Sequence, residues 1–557
     1  MNEVEKVAEV EKVAEVRSSE EMEELIIISD LHLSCGYDKK TGMYSRNEDF
    51  FFDEEFKRFL LHLQKHQSAY NRKNQKPIDK GYFHLIIAGD MFDFLQVTPD
   101  LNKFKDYPKV EGVTEPNITD KERKYGFGTK ENETIWKLKI IAKGHEEFFK
   151  ALAGFLSKGN CLSIITGNHD IELYWPGVQK ELINQIALKR RSKAHVIKEN
   201  IRFCPWFYYS RKFKTYVEHG NQYDSFNSFE YFLYPVLGKD PKRLWLPIGS
   251  FFVRYFFNKL EMSNPFADNI KPATKYMRWA WKDDKLQFLK NVMYYLPTMM
   301  SVWLKKWYIS KAQRRELEIK NEEQLKKSAK LQGVEPDPAK KIYNLKATPL
   351  TYHKILNILT SSNLFFLISA LIVAIFFVAL ALFGPFSYWN TLYSIVPLIL
   401  PTARLLWKYL PIGSFKKKFI KIFVRIIEWI ANKLNDPISK WLLEFFQRDL
   451  FVKAREIRKY LKDAEKDVQT IVFGHTHDPD IRPNSKDAEM EDKEFKYFNV
   501  GTWTTVFSEE ERIVREAKQF AFVQIKEAGR PSATLYQWKD YLKQPEKLIL
   551  FEPNPKK

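Results

Sequence analysis

Five short strand-like runs, most of them apolar and each followed at once by a polar turn, limit what this chain can fold into more than any other feature of its sequence. Such runs are typical of strands in a sheet that is covered on both faces. The turns carry Asp, His and Asn side chains, and most of them contain a glycine. In chain order the turns are residues 29–32, 89–93, 167–170, 219–221 and 474–477.

The side chains of these turns are of the kinds that bind metal ions. Taken alone, Asp30 and His32 are typical of a capped turn, and the pair His475 and His477 is as often structural as functional. Five such turns in order are more informative, because open α/β sheets place their chemistry at the carboxyl ends of strands. Mixed nitrogen and oxygen ligands without a thiolate favour Mn, Fe or Zn over a pure Mg site. The sequence therefore predicts a metal site built from several strand ends.

The ordered set resembles the calcineurin-like metallophosphoesterase superfamily over roughly residues 25–224 and 468–538. The family pattern is Asp-x-His, Gly-Asp-x-x-Asp, Gly-Asn-His-Asp/Glu, a His before Gly, and Gly-His-x-His, and all five blocks are present. The resemblance implies an α/β fold of two packed mixed β-sheets flanked by helices. It also implies a metal-dependent phosphohydrolase, which cleaves a phosphoester or pyrophosphate bond by attack of a hydroxide that bridges two divalent metal ions.

The same resemblance implies a role for each turn residue. One metal would be held by Asp30, His32, Asp90 and His477, and the other by Asp90, Asn168, His219 and His475, with Asp90 bridging. The branch with the most similar tracts, at residues 90–94 and 219–224, is that of the UDP-2,3-diacylglucosamine hydrolases. That branch typically carries Arg where this chain has His169, which leaves the substrate open.

Further candidates surround these ligands. His169 would face the substrate and protonate the leaving oxygen or stabilise phosphoryl charge, and Asp170 would fix its tautomer. Asp93 either orients a metal ligand or has a plain structural role. The candidate substrate contacts are Arg46, Tyr223 and Asp224.

The middle of the chain has a different character. Residues 364–383 are 20 residues without a charge, long enough for a membrane helix. Residues 388–406 form a second apolar run with two prolines, which fits a kinked span, a re-entrant segment or an interfacial helix. Because metal ligands come from both sides of this hairpin, the chain must return to the side it left. Basic residues flank the hairpin and its own loop has none, so the positive-inside rule predicts a catalytic domain on the cytoplasmic membrane face.

The charge distribution separates this insert from the rest. Residues 225–470 hold 40 of the 89 Lys and Arg residues but only 20 of the 70 Asp and Glu residues. The remainder is nearly neutral, so a nucleic-acid partner is not expected, since that needs cations clustered near the site. The insert instead predicts a phospholipid bilayer as partner and a phosphorylated small molecule or lipid as substrate. Two alternatives stay open, a nucleotide phosphodiesterase or phosphatase with a membrane anchor and a non-catalytic membrane scaffold.

The predicted organisation follows from these boundaries. It consists of an acidic repeat tail at 1–24, a first metallophosphoesterase part at 25–224, a helical membrane-associated insert at 225–470 with its apolar hairpin at 364–406, a second metallophosphoesterase part at 471–545, and a tail at 546–557.

Overall fold

A computed structural model of the chain describes residues 21–258, 311–349, 450–483, 494–508, 515–527 and 531–550. The chain divides into two compact units, one formed by Met1–Pro349 with Arg448–Lys557 and the other by Leu350–Gln447. All described residues belong to the first unit. The predicted apolar hairpin at 364–406 and the predicted tails at 1–20 and 551–557 lie outside the described residues, and the predicted domain boundaries stay a prediction.

A seven-stranded mixed sheet forms the larger layer. Four of its strands are parallel to one another, in the spatial order β1 (Glu24–Ile28), β4 (Phe83–Ala88), β5 (Cys161–Ile165) and β6 (Ile201–Cys204). Three antiparallel strands extend the sheet beyond β1, namely β16 (Ala521–Lys526), β17 (Ser532–Lys539) and β18 (Gln544–Lys547). Residues from both ends of the chain therefore share one sheet.

A five-stranded mixed sheet forms the second layer. Its order is β12 (Asp480–Arg482), β13 (Lys496–Asn499), β11 (Thr470–Phe473), β8 (Thr215–Glu218) and β7 (Phe207–Ser210). The three central strands are parallel, and both edge strands are antiparallel to their neighbours. Three two-stranded ribbons complete the described strands: β2 (Tyr37–Asp38) with β3 (Met43–Tyr44), β9 (Val236–Leu237) with β10 (Asp240–Leu244), and β14 (Thr505–Ser508) with β15 (Arg515–Lys518).

Helices surround the sheets. The α-helices are α1 (Asp53–Lys73), α2 (Asp120–Tyr125), α3 (Glu131–Gly144), α4 (Glu146–Leu156), α5 (Pro176–Leu188), α6 (Ala194–Glu199), α7 (Ile248–Phe252), α8 (Lys311–Leu331), α9 (Pro336–Tyr343) and α10 (Leu450–Asp463). Single 3-10 turns lie at Leu101–Asp106, Glu115–Asn117, Ile171–Tyr174, Arg191–Lys193 and Asn221–Tyr223, and a π-helical turn at Val253–Phe257 continues α7.

The alternation of side chains along β1 shows how the layers pack. Leu25 and Ile27 point into an apolar core shared with the five-stranded sheet, which also contains Val472. Ile26 and Ile28 point to the opposite face, into a core shared with α1 and α3 to α5. Because both faces of the strand are buried, the run is continuously apolar. Burying one such side chain contributes roughly 1.5–3 kcal/mol, which favours this pairing of layers.

The outcome for the predicted fold class has two parts. The mixed α/β architecture with packed mixed sheets and helices is confirmed. Within the described ranges, no helix combines the length and the apolar character that a membrane crossing requires. The predicted membrane-associated insert stays a prediction, because its apolar hairpin lies outside the described residues.

Residues shortly before and shortly after Leu350–Gln447 in sequence contact the same turn. The Ala347 N–H donates to the Gln222 carbonyl at 2.7 Å. A Cβ placed on Gly220, which has a φ of +105°, would lie 3.5 Å from Leu450 Cδ1. The turn after β8 is thus contacted by residues on both sides of that unit in sequence.

Candidate metal centre

The five polar turns predicted from the sequence come together in the structure. β1, β4 and β5 of the seven-stranded sheet and β8 and β11 of the five-stranded sheet each end at one of them. Backbone hydrogen bonds join the turns directly, as when the Gly474 N–H donates to the His219 carbonyl at 3.0 Å. All seven predicted metal ligands are buried in this cluster: Asp30, His32, Asp90, Asn168, His219, His475 and His477.

The backbone of these turns is unusual. Five of the ten described non-glycine residues with positive φ are predicted ligands, namely Asp30 (54°), His32 (51°), Asp90 (50°), His475 (71°) and His477 (60°). Asp and His tolerate this region better than most residues, but each such conformation still costs about 1–3 kcal/mol. Strained backbone of this kind concentrates at functional sites, and here it turns each side chain toward one point.

Asp30, His32 and His477 form one group, called here the Asp30 group. Asp30 Oδ1 lies 3.1 Å from His477 Nε2 and 3.7 Å from His32 Nε2, and the two Nε2 atoms lie 3.1 Å apart. Asp30 Oδ1 is buried and accepts no hydrogen bond of suitable geometry from the described residues. Its other oxygen accepts from Ser29 Oγ at 2.6 Å and from the His475 N–H at 2.9 Å. Three ligand atoms therefore face one another in a buried space.

Asp90, His219 and His475, with Asn168 beside them, form the second group, called here the His219 group. His219 Nδ1 lies 2.8 Å from the Ala88 carbonyl, so Nδ1 carries the proton and donates it. Nε2 then faces two acceptors, Asp90 Oδ2 at 3.1 Å and Asn168 Oδ1 at 3.2 Å. Such a contact needs a second proton on the ring or a cation between the atoms.

The electrostatics of these side chains also indicate that the two groups attract positive charge. Burial alone would lower the pKa of His219, but the Asp90 carboxylate outweighs burial and raises that pKa to about 9. Burial likewise acts to raise the pKa of Asp90, yet the neighbouring imidazoles of His219 and His169 hold it well below its usual range. Carboxylates and imidazoles in such proximity attract positive charge, which a divalent cation supplies as well as protons do.

Asp90 belongs to the neighbourhood of both groups. Its Oδ2 lies 3.1 Å from His219 Nε2 and 3.8 Å from His32 Nε2. Ligand atoms about 3 Å apart are spaced as expected for atoms that each lie about 2.0–2.2 Å from one ion. The orphaned Asp30 oxygen, the facing imidazole nitrogens and the absence of thiolates from these groups all fit divalent metal ions. The buried Asp and His groups can thus hold metal ions.

The surroundings of His169 correct one prediction. Its Nδ1 lies 2.5 Å from Asp93 Oδ2, which also lies 3.6 Å from His32 Nδ1. Asp170 instead accepts from the backbone N–H groups of Gly167 (2.7 Å) and Met91 (2.8 Å). The carboxylate that orients His169 is therefore Asp93 and not Asp170, because both oxygens of Asp170 are used to join two turns. Burial alone would lower the pKa of His169, but the carboxylates of Asp93 and Asp90 raise it.

Two of the three side chains predicted to contact substrate form hydrogen bonds within the protein instead. Tyr223 is buried, and its hydroxyl donates to Glu218 Oε2 at 2.9 Å, so its predicted contact with substrate is wrong. Asp224 Oδ2 lies 3.2 Å from His475 Nε2 and accepts from Asn227 Nδ2 at 2.7 Å, so this carboxylate is placed to orient a ligand. Arg46 is exposed, in the segment between β3 and α1, and its role stays a prediction.

Several residues around the ligands were missed. Thr502 Oγ1 donates to the Asp30 carbonyl, and Asn499 Nδ2 donates to the Gly474 carbonyl, each at 2.7 Å. Gln519 Nε2 donates to the His477 carbonyl at 3.0 Å. Thr502 follows a glycine after an apolar run, the same signal as in the five turns, and could have been found. Gln519 follows β15 without any such signal.

Comparison with known proteins does not add a family. No protein-family model matches the chain, and neither the curated proteins nor the solved structures contain a match.

Proposed function

We propose that this chain is a metal-dependent phosphohydrolase with two divalent metal ions, Mn, Fe or Zn. The observation that carries the proposal is the set of three overlapping groups of possible ligands, the Asp30 group, the His219 group and a third formed by His32, Asp90 and His169. The Asp30 group with Asp90 would hold one ion, and the His219 group with Asn168 would hold the other. The family resemblance of the five motifs supports the same assignment.

The chemistry of the pair suits phosphoryl transfer. Two ions bound close together supply positive charge to the phosphoryl oxygens and lower the pKa of a water between them. The protein buries the ligand side chains, so these charges are weakly screened. It also fixes the ligands in advance through strained turns, so that little reorganisation is needed when the reaction occurs.

His169 is the side chain best placed to move a proton. Its side chain keeps 15% of its surface exposed, against 6% for His32 and 1% for His219. Because Nδ1 is held by Asp93, the other ring nitrogen is the one available to donate a proton to a leaving oxygen. The Asp93 carboxylate stabilises the imidazolium form that this role requires.

The cluster supports an enzyme better than a non-catalytic scaffold. Five left-handed ligand residues and a buried carboxylate oxygen without a hydrogen bond all cost stability. Costs of this kind are expected where a site performs chemistry, because a scaffold gains nothing from them. No described contact favours a nucleotide over another phosphorylated substrate.

The direct test uses the full-length protein with Mn²⁺ and three substrates, an aryl phosphate monoester, an aryl phosphate diester and an aryl pyrophosphate. Asp90→Ala removes the carboxylate shared by both groups, so we expect no measurable hydrolysis and a loss of bound Mn²⁺. His62→Ala on α1 is the control, since His62 packs on Trp538 and is not part of either group. Hydrolysis retained by Asp90→Ala would refute the assignment.

The substrate is proposed to be membrane-associated or lipid-linked, with the enzyme on the cytoplasmic face. This rests on the basic and apolar character of the sequence between the two motif regions. The wild-type protein should hydrolyse a phosphorylated lipid in anionic vesicles faster than the matching soluble short-chain compound. Equal rates on the two substrates would count against a lipid-linked substrate without affecting the metal assignment.

A further inference from the structure

A set of side chains outside the metal ligands holds the two ligand turns that follow β1 and β11. The hydroxyl of Thr502 donates to the Asp30 carbonyl at 2.7 Å, and the Trp503 N–H reaches the same oxygen at 3.3 Å. On the other turn, the Gln519 amide donates to the His477 carbonyl at 3.0 Å. Both carbonyls belong to residues with left-handed backbone, which leave the regular strand pattern and need other donors.

Thr502 and Gln519 are also bonded to each other. The Thr502 N–H donates to Gln519 Oε1 at 3.0 Å, which leaves the Gln519 NH₂ group for His477. The Thr502 hydroxyl has one proton, which it gives to Asp30, and it accepts from the Thr504 N–H at 3.0 Å. Three hydrogen bonds in series therefore connect the backbone of Asp30 to that of His477, and each donor and acceptor is committed.

The residues that form these three hydrogen bonds are buried or half-buried. Thr502 is fully buried, and Asn499 supports the same turn by donating to the Gly474 carbonyl at 2.7 Å. A buried hydrogen bond that is lost leaves a polar group unsatisfied, which costs more than the bond itself contributes in water. The relative position of the Asp30 and His477 turns is thus sensitive to these bonds.

We propose that Thr502 and Gln519 are positioning residues that set the spacing of Asp30 and His477, and thereby the metal affinity of the Asp30 group. The proposal rests on the proposed function, because it assumes that the Asp30 group holds an ion. Among the described residues, neither side chain hydrogen-bonds to the ligands of the His219 group. The Asp30 turn touches the second group only through bonds such as that from the His475 N–H to Asp30 Oδ2. Loss of either side chain should therefore weaken the Asp30 site much more than the other site, which a general loss of folding would not do.

The test is a calorimetric titration of Mn²⁺ into the metal-free, full-length protein. For Gln519→Ala and Thr502→Val we expect one of two sites to weaken by about 10–100-fold, the usual effect of removing a group that orients a ligand. The second site should keep its affinity within about threefold. Gln519 is half-buried, so Gln519→Ala decides the matter if Thr502→Val does not fold.

Two further variants serve as controls. Thr502→Ser keeps the hydroxyl and should bind Mn²⁺ as the wild type does. Thr134→Val removes a buried Thr hydroxyl that donates to the Lys130 carbonyl at 2.9 Å within α3, and it should leave both sites unchanged. Equal weakening of both sites, or no change in either, would overturn the proposal. A wild-type protein that binds no Mn²⁺ would overturn the proposed function and this inference with it.

Discussion

Two buried regions of this protein place a histidine between carboxylates, and only one of them has the features of a metal site. In the His145 cluster, formed by Glu48, Asp53 and His145, the imidazole lies 3.2 Å from Glu48 Oε2 and 3.1 Å from Asp53 Oδ2. Every carboxylate oxygen there has a donor, since backbone N–H groups of residues 34, 36, 50 and 148 supply the rest. Protonation of both ring nitrogens, which makes His145 an imidazolium, completes the cluster.

The Asp30 group differs in how its charges are satisfied. One Asp30 oxygen accepts no suitable hydrogen bond, and two imidazole nitrogens, of His32 and His477, face each other at 3.1 Å. The ligand residues are also in left-handed conformations, whereas His145, Glu48 and Asp53 are not among the residues with positive φ. Buried His and carboxylate groups thus indicate a metal site when their donors and acceptors do not match, and a structural ion cluster when they do.

The largest expected effect of a substitution concerns the stability of the His145 cluster. His145→Gln leaves two buried carboxylates without their cation and should lower the free energy of unfolding by about 3–5 kcal/mol. Chemical denaturation of the wild type, of His145→Gln and of the exposed His66→Gln measures this. Mn²⁺ affinity should change by less than about threefold, because the cluster supplies no metal ligand. A strong loss of Mn²⁺ binding would remove the distinction between the two regions.

The same variant gives a pH signature. Burial opposes protonation of His145, but Glu48 and Asp53 outweigh it and raise its pKa to about 10. Because the folded pKa exceeds the unfolded value of about 6.5, this stabilisation is fully present below pH 6.5 and is lost as the pH rises through about 10. The stability difference between wild type and His145→Gln should therefore shrink between these values. A stability difference that does not change with pH would show that His145 is not protonated in the folded protein.

A smaller effect is expected for the proton donor. His169→Gln keeps a polar side chain of similar size but cannot donate as an acid, so kcat should fall about 100-fold, within the range of general acid catalysis. Mn²⁺ affinity should stay close to that of the wild type, in contrast to the ligand variants. An aryl substrate with a good leaving group should be affected least. Loss of Mn²⁺ binding in His169→Gln would assign this imidazole to the metal ligands instead.

The smallest expected effect is the change in Mn²⁺ affinity for each pH unit. With the pKa of His219 raised to about 9 by Asp90, against the effect of burial, a proton stabilises the metal-free site below that pH. Mn²⁺ must displace this proton, so its affinity should rise by about tenfold per pH unit up to about pH 9. Titrations between pH 6 and pH 8 are sufficient. Affinity that falls or stays level with rising pH would contradict the raised pKa of His219.

The ligands were predictable because the signal for them is local. Each stands at or just after the end of a short strand-like run, and in the structure the carboxyl ends of these strands, from two packed sheets, lie together. The residues that orient the ligands were harder to predict from the sequence. Asp170 is adjacent to His169 in sequence, yet Asp93 contacts it, because the turn directs the two side chains apart and brings a distant carboxylate close. Proximity in sequence gave the wrong orienting carboxylate.

The remaining misses have similar causes. Tyr223 was predicted as a substrate contact, but its burial and its hydrogen bond to Glu218 depend on tertiary packing. The link from Gln519 to His477 joins residues 42 positions apart in sequence, so it depends on tertiary structure. The left-handed backbone of the ligand residues is set by hydrogen bonds between turns, such as that from the His32 N–H to the Asp90 carbonyl at 3.0 Å. None of these follows from local sequence.

The turn after β8 carries a consequence for how this chain tolerates extra sequence. Ala347 and Leu450, both in the first unit, contact one short turn, so the first unit itself brings these two residues to the same place. Joining points that are already close costs little loop entropy, whatever the length between them, since that cost grows only slowly with length. We therefore expect the segment between Ala347 and Leu450 to tolerate changes in length without disruption of the sheets.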